Sequence, residues 1–129
     1  MSVELKYLTW TALITALMWI PYVLNRAMVW GLLDTVGYPQ SPKPLAAWAS
    51  RLQKAHYNAV ENLVVFAALV LVANATNMHN DATAAACATY FWARIVHYLV
   101  YTFGVPWLRT LSFAVGWVCL LVLAWQILS

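Results

Sequence analysis

The sequence has few charged residues: Asp, Glu, Lys and Arg make up 9% of the chain, whereas hydrophobic residues make up 64%. Because a soluble domain carries about 25% charged residues, this scarcity excludes an ordinary water-soluble protein. Cysteine is also scarce. Cys87 and Cys119 stand alone in apolar surroundings, which predicts small buried side chains rather than a disulfide or a redox pair. The chain is therefore predicted to be an integral membrane protein.

Four stretches of the chain are apolar and long enough to cross a bilayer, which takes about 20 residues per helix. The predicted helices cover residues 5–30, 46–76, 82–103 and 107–128. Asp81 is the predicted N-cap of the third helix. Since the connections are short, neighbouring helices should be antiparallel. We predict a single all-α domain over residues 1–129, organised as a four-transmembrane-helix bundle with up-down topology.

The first apolar run is too long for the core of a signal peptide, and no A-x-A cleavage site follows it. It is therefore predicted to be the first membrane helix. The longest connection, residues 31–44, contains Pro39, Pro42 and Pro44. Proline cannot continue a helix, so this segment is predicted to be a loop.

Lysine and arginine are concentrated in two of the three predicted loops and their flanks. These residues are Arg26, Lys43, Arg51, Lys54 and Arg109, whereas residues 74–80 contain neither type. The positive-inside rule therefore places the first and third loops in the cytoplasm and both termini on the outer side; Lys6 alone argues against this. The net charge of +3 is explained by these loops and predicts no nucleic-acid partner.

Polar side chains form one stripe on each of the two central helices. On the second helix they are Arg51, Lys54, Asn58 and Glu61, and on the third they are Tyr90, Arg94, His97 and Tyr101. Spacings of three and four residues keep each set on one helix face. Under the predicted topology the two stripes can converge near the cytoplasmic side with Arg109, and Arg26 can join them. Ionisable groups inside a membrane mark a functional site by default.

Such a pocket has several cations, one carboxylate, one amide and phenolic hydroxyls. Arginine binds carboxylates through two parallel hydrogen bonds, and a carboxylate can hold an ammonium group. The residues therefore predict a small, net-anionic, amino-acid-like ligand. A structural alternative is that Glu61 only pairs with Arg94 or Lys54, since buried ions are usually paired.

Three motifs carry a resemblance to a known family. They are Arg51-x-x-Lys54-Ala55-His56-x-Asn58-x-x-Glu61, Arg94-x-x-His97-x-x-x-Tyr101 and Pro106-x-x-Arg109. Together with the length, the four helices and the long first loop, they make the whole chain resemble the MAPEG family of membrane-associated proteins in eicosanoid and glutathione metabolism. The compact chain looks like a bacterial member similar to microsomal glutathione transferases. This resemblance implies a homotrimer in the inner membrane.

The resemblance also implies glutathione as cosubstrate, bound between neighbouring subunits without a metal. By motif position Asn58 and Glu61 would contact glutathione, with Glu61 taking the γ-glutamyl ammonium. Arg26, Arg51, Lys54, Arg94 and His97 complete the implied binding set. Arg109 would stabilise the thiolate, assisted by a hydrogen bond from Tyr101 or Ser112. The thiolate would then attack a lipophilic electrophile or a lipid hydroperoxide entering from the bilayer, so lipids are expected partners.

Other readings of the sequence remain open. Glu61 could serve a small four-helix proton-coupled transporter, although a ring of Arg and Lys should repel cations. His56 and His97 could be axial haem ligands, but His56 lies more than about 100° from the polar stripe at the α-helical rotation per residue. A non-catalytic membrane scaffold is the third alternative.

Overall fold

Every regular element in the computed structural model, which covers residues 1–129, is an α-helix. The helices are α1 (Val3–Leu17), α2 (Trp19–Trp30), α3 (Leu32–Val36), α4 (Ala47–Ala75), α5 (Asp81–Thr102) and α6 (Pro106–Leu128). The predicted all-α class is confirmed. The last three predicted helices agree with α4, α5 and α6 to within one residue at each end.

The first predicted helix is wrong in one respect, because it is divided at Met18 into α1 and α2. Pro21 explains this division. Proline has no backbone N–H, so it leaves the carbonyl of Leu17, four residues earlier, without its usual intrahelical partner. The loop predicted over residues 31–44 is also not wholly irregular, since it begins with the short helix α3.

Three helical stretches are long and apolar enough to cross a membrane: residues 3–30, 47–75 and 106–128. Helix α5 has sufficient length, but Tyr90, Arg94 and His97 interrupt its apolar residues. All three of these side chains are buried within the protein. Helix α5 thus places ionisable groups in the interior of the protein.

Helix α5 lies at the centre of the packing and contacts α1, α4 and α6. Near the start of α4, Nε of Arg51 donates a 2.9 Å hydrogen bond to the carbonyl of Thr102 at the end of α5, so these two helices run in opposite directions. We call this the Arg51 end of the molecule. At the opposite end, the Glu4 end, the Thr83 hydroxyl donates a 2.8 Å hydrogen bond to Glu4.

The two halves of the first helical stretch both contact α4 but differ in their other partner. Helix α1 contacts α4 and α5, whereas α2 contacts α4 and α3. Asn25 in the middle of α2 accepts a 3.0 Å hydrogen bond from the backbone N–H of Ala46, just before α4. In addition, the Tyr22 hydroxyl lies 2.7 Å from Nδ1 of His56. Helix α2 is therefore joined to α4 by polar contacts as well as by packing.

Apolar side chains from α4, α5 and α6 form the larger of two core clusters, which includes Phe66, Tyr90 and Leu123. The Phe66 and Tyr90 rings are stacked with their centroids 4.0 Å apart. Cys87 and Cys119 are buried in the same cluster and unbonded. This cluster packs α5 against α4 and α6.

The N-terminus of α5 is capped by Asn80, so the prediction of Asp81 as N-cap is wrong by one residue. The Asn80 side chain accepts a 2.9 Å hydrogen bond from the N–H of Thr83. In return, the Thr83 hydroxyl oxygen accepts one from the N–H of Asn80. This reciprocal pair is a capping box, with threonine in the position more often held by Glu or Gln.

Candidate ligand-binding site

The polar stripes of α4 and α5 meet at a hydrogen bond between Arg94 and Asn58. Nη2 of the buried Arg94 guanidinium donates to Oδ1 of Asn58 over 2.7 Å. The distance is typical of a charge-assisted hydrogen bond. This contact fixes which end of the Asn58 amide accepts, and so leaves its NH₂ group as a donor.

Asn62, one turn further along α4, supports Asn58. Its side-chain NH₂ donates to the Asn58 carbonyl oxygen over 2.8 Å and lies 3.3 Å from Asn58 Oδ1. Both side chains are half-buried. Arg94 and Asn62 therefore hold the Asn58 side chain from two directions.

An open groove of about 250 Å³ lies beside this contact. It is lined by Asn58, His97, Tyr101, Arg109, Thr110 and Phe113. The His97 and Tyr101 rings meet edge to face with centroids 5.4 Å apart. Cζ of Arg109 lies 5.1 Å from the centroid of the Tyr101 ring, at the distance of a cation–π contact. We call this space the ligand groove.

Arg51 lies near the ligand groove but does not line it. Its Nε bonds to the Thr102 carbonyl and satisfies one of the acceptors left free at the end of α5. Gly104 makes room for this side chain, because a Cβ built there would lie 3.2 Å from Nε of Arg51. Arg51 is therefore placed to brace the junction of α5 and α6.

Besides Arg51, three sequence-predicted site residues are not brought to the groove. Arg26 is half-buried on α2, where its Cζ lies 5.0 Å from the Trp30 ring centroid. Lys54 and Glu61 are exposed on α4. The alternative in which Glu61 pairs with Arg94 or Lys54 is wrong: the only salt bridge joins Glu4 to His79, with Oε2 and Nδ1 3.5 Å apart.

Two groove residues, Thr110 and Phe113, were missed by the sequence analysis. Phe113 packs near His97, with ring centroids 6.2 Å apart. A signal for it was present, because residue 113 follows Arg109 by four positions and so shares its helix face. Ser112 is not among the lining residues; its hydroxyl donates to the carbonyl of Leu108 over 2.7 Å.

The two histidines considered as haem ligands lie in different surroundings. His56 contacts Tyr22 of α2, whereas His97 lines the ligand groove. No three His, Cys, Asp or Glu side chains are close enough together to hold a metal ion.

Apolar helices of spanning length that enclose buried Arg94 and His97 define an integral membrane protein with an ionisable site among its helices. The sequence matches the profile of the MAPEG family over residues 7–129. The protein therefore belongs to the MAPEG family, as its motifs predicted. No characterised protein and no solved structure matches it.

Proposed function

We propose that this protein is a membrane-bound, glutathione-dependent transferase or peroxidase of a bacterial inner membrane. The observation that carries the proposal is the ligand groove, where Asn58, His97, Tyr101 and Arg109 lie together. These side chains supply an amide, an imidazole, a phenol and a cation within one open space. Membership of a family that includes glutathione transferases supports glutathione as the ligand.

The proposed binding roles follow from the chemistry of each side chain. Asn58, held by Arg94, offers its NH₂ group to a peptide carbonyl or a carboxylate of glutathione. His97 and Tyr101 provide further hydrogen-bonding groups along the groove. Arg94 and Arg51 brace these elements, and Arg26 and Lys54 add positive charge at the same end of the molecule. A net positive surrounding suits the net negative charge of glutathione.

The exposure of Glu61 and Lys54 supports a site shared between subunits. Both project from α4 without an ion-pair partner, although α4 is apolar enough to span a membrane. An uncompensated charge facing lipid is costly, so a neighbouring surface should cover it. We propose that this surface is another subunit of a homotrimer, each subunit a single up-down four-helix bundle over residues 1–129. Glutathione would bind at that boundary, with Glu61 holding the γ-glutamyl ammonium.

Arg109 is the proposed thiolate-stabilising residue. A thiol near pKa 8.5 is mostly protonated at neutral pH, and a neighbouring cation favours the thiolate. In conjugation the sulfur forms a bond to an electrophilic carbon, and the displaced electron pair leaves with the leaving group. In peroxide reduction the sulfur attacks an oxygen, the O–O bond breaks and an alcohol departs after protonation. The resulting sulfenic acid condenses with a second glutathione to give a disulfide and water.

The lipophilic substrate would enter from the bilayer, while glutathione would enter from the cytoplasm. The basic residues Arg26, Lys43, Arg51, Lys54 and Arg109 favour a cytoplasmic position for the Arg51 end. Both termini would then lie on the outer side.

Glutathione binding to the purified protein, measured by calorimetry, tests the proposal. We expect saturable binding by the wild type. Glu61→Gln should weaken binding about 10- to 100-fold, because a hydrogen bond to a charged group contributes about 1.5–3 kcal/mol. Asp34→Asn, which neutralises an exposed carboxylate in α3, is the matched control and should bind as the wild type does.

Turnover of Arg109→Ala separates binding from thiolate stabilisation. We expect glutathione conjugation or peroxide reduction to fall while the folded protein persists. Full turnover in this variant would refute the role of Arg109. A folded wild-type protein that binds no glutathione would instead favour a non-catalytic scaffold or a transporter that uses Glu61.

A further inference from the structure

Three polar atoms on one face of α5 are buried without a hydrogen-bond partner in the protein: the Tyr90 hydroxyl, Nε of Arg94 and Nδ1 of His97. Tyr90 is 1% exposed and His97 is 2% exposed. About nine in ten buried polar groups are bonded to protein or to ordered water. Three exceptions on successive turns of one helix therefore require a common explanation.

The residues that carry these atoms all line one small cavity between α1, α4 and α5, of about 20 Å³. Ala55 and Ala59 of α4 leave the space open, and Thr15 of α1 faces it from the other side. A water molecule needs about 10–15 Å³ on this measure and between two and four polar partners. The cavity therefore has room for one water, and the residues that carry the three unpartnered atoms line it.

We propose that one buried water molecule occupies this cavity and sets the tautomer of His97. Nε of Arg94 can only donate to the water, whereas Thr15 can accept from it, because its hydroxyl hydrogen is donated to the Thr11 carbonyl over 2.7 Å. A water molecule donates two hydrogen bonds and accepts two. After the contacts to Arg94 and Thr15, it can accept one more and donate one more, to Tyr90 and His97. A phenol is the better donor and an imidazole nitrogen the better acceptor, so Tyr90 donates to the water and Nδ1 of His97 accepts from it.

A neutral imidazole has one donor and one acceptor nitrogen, and the hydrogen bond at one nitrogen determines the state of the other. With Nδ1 accepting, the proton resides on Nε2. His97 lines the ligand groove as well as the small cavity, so it presents an N–H donor to an anionic ligand. Tyr90 and Thr15 are thereby positioning residues, which act on the groove through the water and His97.

Nitrogen-15 NMR of the ligand-free protein, labelled at histidine, tests the tautomer directly. The chain has three histidines, and a His97→Gln variant assigns the His97 signals. We expect an unprotonated Nδ1, a protonated Nε2 and magnetisation transfer from a long-lived water to the His97 ring. A proton on Nδ1, protons on both nitrogens or the absence of a long-lived water would overturn the proposal.

Two variants each remove one proposed contact to the water. Tyr90→Phe and Thr15→Val should shorten the residence time of the water by about tenfold, equivalent to about 1.4 kcal/mol of its binding. They should also produce a mixture of His97 tautomers. Tyr7→Phe is the matched control, since Tyr7 lies outside this cavity, and it should match the wild type. If Tyr90→Phe does not fold, Thr15→Val decides; wild-type signals in every folded variant would refute the role of these contacts.

The buried water and the His97 tautomer can both be measured without glutathione, so their test is independent of the proposed function. If the protein binds no glutathione but His97 carries its proton on Nε2, the buried water is supported and the transferase function is refuted. If glutathione binds normally but His97 carries its proton on Nδ1, the transferase function is supported and the buried water is refuted.

Discussion

The hydrogen bond between Arg94 and Asn58 should be a measurable source of stability. In water-soluble proteins a hydrogen bond to a charged group contributes about 1.5–3 kcal/mol, whereas interhelical hydrogen bonds in membranes average about 0.6 and reach about 1.7 kcal/mol. The contact is short, at 2.7 Å, and its donor is a buried cation. We therefore expect a coupling free energy of about 1.5 kcal/mol, where the two ranges overlap.

A double-mutant cycle with Asn58→Ala and Arg94→Met measures this coupling. Alanine favours the helix more than asparagine does, but this effect is present in both backgrounds and cancels in the cycle. Unfolding in mixed micelles of a mild detergent and sodium dodecyl sulfate, followed by the fluorescence of the eight tryptophans, gives the four free energies. Because Arg94 bonds to Asn58, Asn58→Ala should lower the free energy of unfolding by much more in the wild type than in the Arg94→Met background.

Asn62→Ala is the matched control for this cycle. It removes a neutral donor to Asn58 from the same helix face and should cost about 0.5–1.5 kcal/mol, the range for a neutral hydrogen bond. A coupling free energy below about 0.5 kcal/mol between residues 58 and 94 would be indistinguishable from independent sites. That result would refute the assignment of the Arg94–Asn58 bond as the link between α4 and α5.

Two further predictions concern the ends of α5, and both are read as free energies of unfolding in the same micelles. Gly104→Ala should destabilise the protein less in an Arg51→Ala background than in the wild type, because a Cβ at residue 104, whose φ is 76°, would lie 3.2 Å from Nε of Arg51. The backbone strain of the positive φ is present in both backgrounds and cancels, so equal losses would contradict the close approach of Arg51. Thr83→Val should cost about 1–3 kcal/mol, because it removes the hydroxyl that donates to the buried Glu4 carboxylate. Thr89→Val alters an exposed threonine of the same helix and should stay within about 0.5 kcal/mol; similar effects at both positions would argue against a specific contact at Glu4.

The sequence was sufficient for the last three long helices and for the meeting of the two stripes. Helical periodicity placed Asn58 and Arg94 on faces that could meet, and the structure joins them directly. His97, Tyr101 and Arg109 were likewise expected near Asn58 and line the same groove. These successes share a cause, because spacing along a helix determines its face and short connections determine which helices are neighbours.

The positions of Glu61 and Lys54 could not be obtained in the same way. Both lie within the polar arc of α4, but α5 covers only part of that arc, so Asn58 is half-buried and Glu61 is exposed. Helical periodicity shows which side of the helix a side chain is on. It does not show how much of that side the neighbouring helix covers. The break at Met18 was missed for a different reason: the apolar composition of residues 5–30 outweighed the single breaking signal at Pro21.

The division at Met18 also separates two attachments of the first helical stretch to the ligand groove. Helix α2 and the loop that follows it are attached to α4 through Asn25, Tyr22 and their partners. Helix α1 contacts both α4 and α5, whereas α2 has no direct contact with α5. The first loop is therefore joined through α2 to the wall of the groove that bears Asn58, and only α1 touches the helix that bears His97.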